Sequence, residues 1–474
     1  MAPIPRVAII GGGLAGLAAA ACLAEAGFEV EVVEKRAVLG GRASSFLPPD
    51  GGSPIDNCQH VLLGCCTNLL DFYRRAGTAS RLRYYSSFFF LGPRGLSAVS
   101  AAALPAPLHL LPSLLRFRDL GWDDRRAIAR GMLAILRHRE PPREETMLAW
   151  LRRQRQTEGA MENFWRVVLT SALNEDLERV SSRHGFQVFW EAFLKNRRGY
   201  RMAVPAVPLS ELYASRILGE RCSLRLSTAA ASLSCAEGKI ARLELRDGGT
   251  VTADYFLSAV PPDALASLLP EEVAACWPQA AGLKRFEWSP ITGIHLWFDR
   301  RVTQIAHAAV LGRTIQWVFN RVNASPQEDH AEKQQYLQVV VSASRTLAEM
   351  RREEILELVL RELRELFPAA RQAQLLQAVI VKEMKATPSL QPDSESLRLN
   401  AQTPLPNLFL AGDWTATGWP ATMEGAVRSG YRAAELITQA AGRPRSFLLP
   451  DLPTAPLARL LRLLLPASTS GGTF

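Results

Sequence analysis

Three glycines close to the start of the chain, Gly11, Gly13 and Gly16, have the spacing with which a backbone can hold a pyrophosphate. Gly11 permits a tight turn, Gly13 lets the pyrophosphate approach the main chain, and Gly16 lets a helix pack closely on a strand. Further along, the carboxylate of Glu34 stands where it can accept hydrogen bonds from a ribose. These four residues predict a dinucleotide site.

The segments around these glycines supply the elements that such a site needs. Residues 7–10 are apolar and predict a strand, an alanine-rich run up to Ala26 predicts a helix, and residues 30–33 predict a second strand. The helix start offers unpaired amide groups, at Leu14 and Ala15, to the pyrophosphate. A glycine motif alone also arises by chance or for tight packing. Here the strand, helix, second strand and acid occur in the required order, which favours a nucleotide site.

Asp56 and His60 are the first candidates for proton transfer. They suit a proton donor and the group that orients it. The alternative is a turn carboxylate with satisfied hydrogen bonds and a histidine packed in the core. The spacing alone leaves both interpretations open.

Length and charge limit the classes of protein. A chain of 474 residues is too long for one ordinary core, so we expect two intertwined domains. With 48% hydrophobic and 21% charged residues, the chain is globular. The net charge of +9 comes from scattered basic residues, so we expect no nucleic-acid partner. An anionic membrane surface suits this charge better, and unspecific surface charge is the alternative.

The seven cysteines form neither a Cys-x-x-Cys pair nor a metal-type group with histidine. We therefore predict no metal site, and reduced thiols in a cytoplasmic setting. The first apolar run is already the predicted nucleotide-binding strand, which argues against a signal peptide. No window of about 20 residues is apolar enough to cross a bilayer. We expect a cytoplasmic protein that can lie on the inner face of the cell membrane.

The segment after Glu34 narrows the choice of nucleotide. Gly40, Gly41 and Arg42 place a flexible backbone and a cation beside the pyrophosphate, although an ordinary turn with a solvated arginine has the same pattern. This Gly-Gly-Arg resembles that of the flavin-dependent amine oxidase and phytoene desaturase superfamily, where it follows the first strand-helix-strand unit. The resemblance favours FAD over NAD.

Residues 54–75 contain Asp-Asn-Cys-Gln-His-Val-Leu-Leu-Gly and then Asn-Leu-Leu-Asp-Phe. This segment looks like that of the hydroxysqualene dehydroxylases, or squalene-associated FAD-dependent desaturases, of bacterial hopanoid pathways. The resemblance implies that Asp56, Cys58, Gln59 and His60 are the first polar groups near the flavin ring. That family commonly has glycine where Cys58 stands, and we interpret this cysteine as a small buried residue.

Near the C-terminal end, residues 408–430 predict a buried strand, an Ala-Gly-Asp loop and a helix that starts near Thr422. The resemblance implies that Asp413 bonds the pyrophosphate and ribityl region, and that the amides of Met423 and Glu424 face the flavin. Motif and resemblance together give these cofactor-binding residues: Gly11, Gly13, Leu14, Ala15, Gly16, Glu34, Lys35, Gly40, Gly41, Arg42, Cys58, Gln59, Ala230, Gly412, Asp413, Pro420, Met423 and Glu424.

The expected fold class is α/β, with a Rossmann-like FAD-binding domain of the amine oxidase type and an intertwined α+β substrate domain. We assign the FAD-binding domain to residues 1–75, 205–285 and 395–442, and the substrate domain to 76–204 and 286–394. The tail, 443–474, contains a candidate membrane-contact helix at 455–465 and a terminus predicted to be disordered.

Within the substrate domain, residues 86–117 are apolar but interrupted by prolines. We interpret them as the mouth of a lipid channel or a patch that enters a bilayer surface; the alternative is a buried connection. Helical patterns follow at 123–139, 146–155, 161–173 and 185–193, and another at 347–367. Their aromatic residues suit either a core or an isoprenoid pocket: Phe164, Trp165, Phe186, Phe189, Trp190 and Phe193.

The resemblance implies reduction of hydroxysqualene to squalene, with a hydride from reduced FAD and a proton given to the leaving hydroxyl group by Asp56 or His60. The expected partners are thus an isoprenoid lipid and a membrane surface. A carotenoid-type desaturase, which runs the flavin in the other direction, and a prenyl-binding protein without redox chemistry are the alternatives. No second complete nucleotide motif identifies the electron donor.

Overall fold

A five-stranded parallel sheet forms the centre of the cofactor-binding part. The structure is a computed structural model that describes residues 3–48, 51, 53–138, 144–213, 218–321 and 334–466. The strands of this sheet stand in the order Cys222–Arg225, Glu29–Val33, Arg6–Ile10, Tyr255–Ser258 and Leu408–Leu410. Because the carboxyl ends of parallel strands meet at one edge, the loops that follow these strands converge there.

Two long helices cover one face of this sheet. Leu14–Glu25 is buried along nearly its whole length and packs against Met423–Ala440. The two backbones approach closely, because a Cβ atom on Gly430 would lie only 2.2 Å from the carbonyl oxygen of Ala15. The alanine-rich composition of the first helix therefore serves close packing. A third helix, Thr67–Arg75, lies beside them.

An antiparallel meander covers the other face of the parallel sheet. Its strands are Ala230–Ala236, Lys239–Leu245 and Thr250–Val251. Its apolar side packs with the helices Pro262–Leu268 and Glu271–Cys276 and the 3-10 turns Pro278–Arg285 around a shared core.

A seven-stranded sheet forms the second part of the molecule. Its strands stand in the order Leu375–Pro388, Trp288–Phe298, Gln335–Ser342, Trp317–Arg321, His307–Val310, Ser87–Gly92 and Gly95–Ser100. One face packs on the amphipathic helix Arg352–Leu366. The opposite face is turned toward the cavity described below.

The structure defines one segment of this region more closely and corrects the expectation for another. Residues 86–117 begin with the hairpin Ser87–Gly92 and Gly95–Ser100, and only then reach the short helical turns Leu108–Leu110 and Leu111–Leu115. The helix predicted at 347–367 is two helices, Arg345–Glu349 and Arg352–Leu366, because Met350 is extended. The single helix was therefore the wrong prediction, because one extended residue leaves the apolar periodicity almost unchanged.

A cap of short helices lies between the two sheets. The predicted helical segments occur with shifted ends and are more divided than expected, since six-residue π-helices interrupt two of them. The elements are Trp122–Arg137, Met147–Arg153, Glu158–Ala160, Met161–Arg166 (π), Val167–Leu173, Ser182–Val188 and Phe189–Leu194 (π). They enclose one aromatic and aliphatic core.

Small sheets and the tail join the parts. Ser45–Phe46 pairs with Ile55–Asp56, and Met202–Pro205 pairs with both Leu62–Leu63 and Leu82–Tyr85. Short 3-10 turns occur between these elements at Ala79–Arg81, Leu209–Tyr213, Pro368–Arg371 and Ser394–Leu397.

The C-terminal segment leads to the helix Pro456–Leu464, which packs on the helix Trp122–Arg137. This helix lies where the membrane-contact helix was expected. The terminus predicted to be disordered, 467–474, lies outside the described residues. Among the described residues, no helix has the length and apolar character needed to span a membrane.

Candidate functional site

One cavity of about 1400 Å³ joins the carboxyl edge of the parallel sheet to the helical cap. Its first end is lined by the glycine loop and by the loop after strand Leu408–Leu410. Its second end is lined by apolar side chains of the cap and the seven-stranded sheet, which include Phe90, Leu110, Phe117, Ile128, Met132, Phe164, Phe189 and Phe193. We call these the cofactor end and the oily end.

The glycine loop is shaped by close backbone contacts. A Cβ atom on Gly16 would lie 2.0 Å from the carbonyl oxygen of Gly11, so only glycine fits there. Gly13 stands before the helix Leu14–Glu25 without any side-chain cap, so the first amides of that helix point toward the cavity edge unbonded. These amides and the positive helix end suit a pyrophosphate.

Glu34 holds the same loop from the neighbouring strand. Its Oε2 accepts a hydrogen bond of 2.7 Å from the amide of Gly12, and its Oε1 accepts one of 2.8 Å from the amide of Arg36. The carboxylate is buried and lines the cavity. It can therefore fix the turn and still offer lone pairs to a ribose.

Arg42 and Asp413, which are far apart in the chain, form an ion pair at the centre of the cofactor end. Arg42 also donates to the carbonyl oxygen of Ala386 at 3.1 Å and lies over the ring of Trp288. Behind Asp413, the buried Arg398 donates to the Asp413 carbonyl oxygen at 2.8 Å. The Asp413 loop is therefore held in place from both sides.

The start of the helix Met423–Ala440 also faces the cavity. Thr422 caps it by accepting a bond from the amide of Gly425 at 3.3 Å, while the earlier amides of Met423 and Glu424 precede the helical bonding pattern. The Glu424 side chain points elsewhere, because its carboxylate accepts bonds from the amides of Asn68 and Leu69 and pairs with Arg428. The backbone amides are thus the groups offered to a ligand.

Asp56 lies behind the cavity wall. Its Oδ1 accepts bonds of 2.8 Å from the Ser45 hydroxyl and from the amide of Leu209, and its Oδ2 lies 3.2 Å from Nη2 of Arg321. The side chain is buried and is not among the described residues that line the cavity. In this structure the carboxylate has the geometry of a satisfied structural group.

His60, Cys58 and Gln59 do line the cavity. Nδ1 of His60 lies 2.9 Å from the carbonyl oxygen of Cys58, so this nitrogen carries the proton and Nε2 keeps its lone pair. Burial lowers the pKa of His60, and the nearby Asp56 offsets part of that effect. Burial also raises the pKa of the Cys58 thiol to about 12, so it stays protonated.

The oily end contains part of the aromatic set that the sequence suggested. Phe164, Phe189 and Phe193 line it. The remaining three aromatic residues, Trp165, Phe186 and Trp190, are not among its described lining residues. Trp165 is buried in the cap core, where its indole donates to Gln156 at 2.8 Å, and the Trp190 ring lies under Arg462.

Most residues named from the sequence come together at this cavity. Of the predicted cofactor-binding residues, all except Gly16 line it. The structure adds Arg36, Arg246, Trp414 and Trp419 as lining residues. Trp414 directly follows Asp413 and Trp419 lies in the same loop, so proximity to the motif is a signal that would have found both. Arg246 lies within the meander, between the strands Lys239–Leu245 and Thr250–Val251, where no sequence signal marks it.

The cofactor end fits the two phosphates and the flavin of FAD. The backbones of Gly13 and Gly41 approach closely on the other side of the glycine loop, since a Cβ atom on Gly41 would lie 3.1 Å from the Cα of Gly13. Hydrogen-bond donors come from the starts of the helices Leu14–Glu25 and Met423–Ala440 and from Arg42, and the acceptor is the buried Glu34. The long cavity leaves room for the ring beside Cys58 and His60.

The model of the family "flavin containing amine oxidoreductase" matches residues 14–438. The chain is 27% identical to the 15-cis-phytoene desaturase of Synechococcus elongatus over 456 residues, which cover 91% of this chain and 95% of that protein. It is 28% identical to the 15-cis-phytoene desaturase of Narcissus pseudonarcissus over 456 residues, which cover 92% of this chain and 79% of that protein.

Solved structures share the fold at lower identity. An oxidoreductase from Methanosarcina mazei has a TM-score of 0.69 at 18% identity, covering 90% of this chain and 98% of that chain. A putrescine oxidase bound to putrescine has a TM-score of 0.67 at 16% identity, covering 92% and 99%. The predicted fold class and the predicted cofactor, FAD, are confirmed. The chain is an FAD-dependent oxidoreductase that belongs to the flavin containing amine oxidoreductase family.

Proposed function

We propose that this protein oxidises a long isoprenoid hydrocarbon in a carotenoid-type desaturation. The observation that supports this most is the continuity of one cavity from the cofactor end to the oily end. A substrate in the oily end would be bound by dispersion and by exclusion of water, which suits a polyene precursor with no charge. The phytoene desaturases to which the chain is similar act, by their name, on such a substrate.

The chain supplies position and proton handling to this reaction. When bound, FAD supplies a hydride acceptor. The oily walls hold the hydrocarbon and keep water away from the reacting carbon atoms. Nε2 of His60, whose lone pair is free of the backbone, can accept the proton that leaves the neighbouring carbon. Asp56 acts on His60 through its charge, because its own oxygens are bonded elsewhere.

Reductive dehydroxylation of hydroxysqualene to squalene is the second candidate. It is favoured by the segment from Asp56 to Asp71, which resembles that of the hydroxysqualene dehydroxylases. This reaction needs a protonated group that turns the leaving hydroxyl into water. His60 lies at the cavity wall and would fill that role only after taking up a proton at Nε2.

We further propose contact with a membrane surface. The helix Pro456–Leu464 leaves Leu460, Leu463 and Leu464 exposed by 49%, 72% and 70% of their surfaces, and its Leu461 lines the cavity. The exposed Leu108, Leu111, Leu115 and Trp122 line the same cavity. An apolar rim around an oily opening suits entry of a lipid from a bilayer.

Product analysis tests the proposal. Oxidised protein with phytoene, and anaerobic, chemically reduced protein with hydroxysqualene, are incubated in parallel and extracted for chromatography. Desaturation predicts new conjugated double bonds in the first arm and bleaching of the flavin absorbance. Squalene in the second arm alone would replace the first candidate with the second. A flavin that responds to neither lipid would contradict both, and would support binding of a prenyl chain without redox chemistry.

A further inference from the structure

The cavity-facing side of the seven-stranded sheet changes from apolar to polar along its strands. In the strand Gln335–Ser342, Ser342 and Val340 line the cavity. Gln338 and Tyr336 follow on the same face, because alternate residues of a strand share a face. The four steps along the strand from Val340 to Tyr336 span about 13 Å. This face therefore leads from the cavity wall to the half-buried Tyr336.

The neighbouring strands place further side chains beside Gln338 and Tyr336 on this face. Gln338 lies opposite His295, and Tyr336 lies opposite Trp297 on one side and Arg321 on the other. Oη of Tyr336 lies 2.6 Å from Nδ1 of His295, which is a short hydrogen bond. A phenol at the outer end of the row is thus bonded directly to a buried imidazole.

Two buried side chains beside Tyr336 have polar atoms without a protein partner. Gln338 and His295 have no exposed surface. Within the described part of the chain, neither the oxygen nor the nitrogen of the Gln338 amide, nor Nε2 of His295, bonds to a protein group. Buried amides and imidazoles are almost always hydrogen-bonded, and water is the usual partner where protein groups are missing. Three such atoms from facing residues indicate a site for ordered water.

The loop that carries the cavity residues closes this site from the other side. A Cβ atom on Gly293 would lie 3.0 Å from the carbonyl oxygen of Asn57, so the loop rests directly on the sheet there. Beyond that contact, Arg321 donates to Gln59 at 3.2 Å and pairs with Asp56. Gln59 belongs to the cavity wall, and its bond to Arg321 connects that wall with the residue opposite Tyr336.

We propose that His295, Gln338 and Tyr336 hold a short file of water molecules that carries a proton between the cavity wall at His60 and the solvent. This inference rests on the proposed function, because desaturation breaks two C–H bonds. One leaves as a hydride that reduces the flavin, and the other leaves as a proton that forms an N–H bond at Nε2 of His60. That proton must then leave an oily cavity. In dehydroxylation the same route runs inward and supplies the proton.

The side chains of His295 and Tyr336 are suited to transfer a proton rather than to hold one. Burial, with a smaller effect of Arg321, lowers the pKa of His295 to about 3, so the ring remains neutral. A neutral imidazole accepts a proton on one nitrogen while it releases one from the other. The Tyr336 hydroxyl can both donate and accept, and burial keeps it protonated by raising its pKa.

A crystal structure of the flavin-loaded protein, at a resolution that shows ordered water, tests the first half of the inference. We expect water bonded to the Gln338 amide and to Nε2 of His295, continuing toward His60. A dry contact, with both groups bonded to protein atoms, would overturn the inference. This result does not depend on which lipid the protein converts, so it separates the inference from the proposed function.

Anaerobic single-turnover kinetics in H₂O and D₂O test the second half. For Y336F we expect flavin reduction by substrate to slow about tenfold, with a larger solvent isotope effect and an unchanged substrate Kd. H295Q is a second variant with the same expected result, because water could replace the missing hydroxyl group in Y336F. The control is W297F, which alters the ring stacked on Tyr336 at 4.6 Å but removes no proton carrier. Rates and isotope effects equal to those of the unchanged protein in both variants would overturn the inference.

Discussion

The two ends of the cavity are specified in different ways. At the cofactor end, backbone atoms set the shape, as at Gly16, where a Cβ atom would lie 2.0 Å from a carbonyl oxygen. At the oily end, side chains from distant segments, from Phe88 to Leu461, form the walls. Backbone contacts tolerate no added atom, whereas apolar walls tolerate changes that preserve volume. Cofactor affinity and substrate choice are therefore expected to respond to different substitutions.

The largest effect on cofactor binding is expected for G16A. The added methyl group cannot fit beside the Gly11 carbonyl, so the strand and helix must separate and the pyrophosphate cradle is lost. We expect the purified variant to contain at least about tenfold less flavin. The ratio of flavin to protein absorbance measures this. G282A is the matched control, because its Cβ atom would meet Leu397 at an ordinary 3.5 Å. Equal flavin content in G16A and G282A would contradict this account.

H60Q should retain FAD and lose catalysis. The amide keeps a polar group at the cavity wall but cannot accept a proton, so turnover should fall roughly 10²-fold or more. Flavin content and single-turnover rates measure the two properties on one sample. A variant that turns over at the original rate would remove His60 from the mechanism.

D56N should act mainly on stability. It removes the charge that faces Arg321 in a buried pair, and breaking such a pair costs about 3 kcal/mol of unfolding free energy. Chemical denaturation measures this cost. D254N is the control and should change stability much less, because Asp254 is exposed and the asparagine oxygen can still accept the bond from the Arg6 amide. A stable D56N with slow turnover would instead support Asp56 as the proton donor.

The substitutions L463E and L464E together should weaken membrane contact alone. Both side chains are largely exposed, so the fold should be unaffected, while charges on the helix Pro456–Leu464 oppose insertion into a bilayer surface. Sedimentation with vesicles that contain anionic lipid measures binding. L376E, at an exposed leucine of the sheet edge, is the control. Equal loss of vesicle binding by L376E would show that the effect is not specific to the helix.

The smallest effect is expected for pH, through the buried His109, which stands between the cavity-lining residues Leu108 and Leu110. Burial lowers the pKa of His109 from 6.5 to about 4. The unfolded chain takes up this proton near pH 6.5 and the folded chain only near pH 4, so stability is complete above pH 6.5 and falls between these values. In H109F, thermal melting should fall less over that range. A melting curve that changes equally with pH in both proteins would show that other groups dominate.

Local patterns predicted much of the molecule. The glycine loop and the helix that begins after Thr422 were visible because each depends on neighbours in the chain. The hairpin Ser87–Gly92 with Gly95–Ser100 was not, because its apolar residues do not alternate with polar ones. The break at Met350 was missed because a single extended residue leaves the apolar spacing almost unchanged.

The sequence by itself determined that the chain presents a glycine turn and an acid with the spacing of a dinucleotide site, since backbone freedom and carboxylate chemistry are properties of the residues themselves. Only the tertiary structure decided what Asp56 and His60 each face. Arg321, from a distant strand, pairs with Asp56 behind the wall, while His60 lines the cavity. Spacing along the chain could not separate these roles, because burial and charge at each side chain are set by segments that meet only in the folded protein.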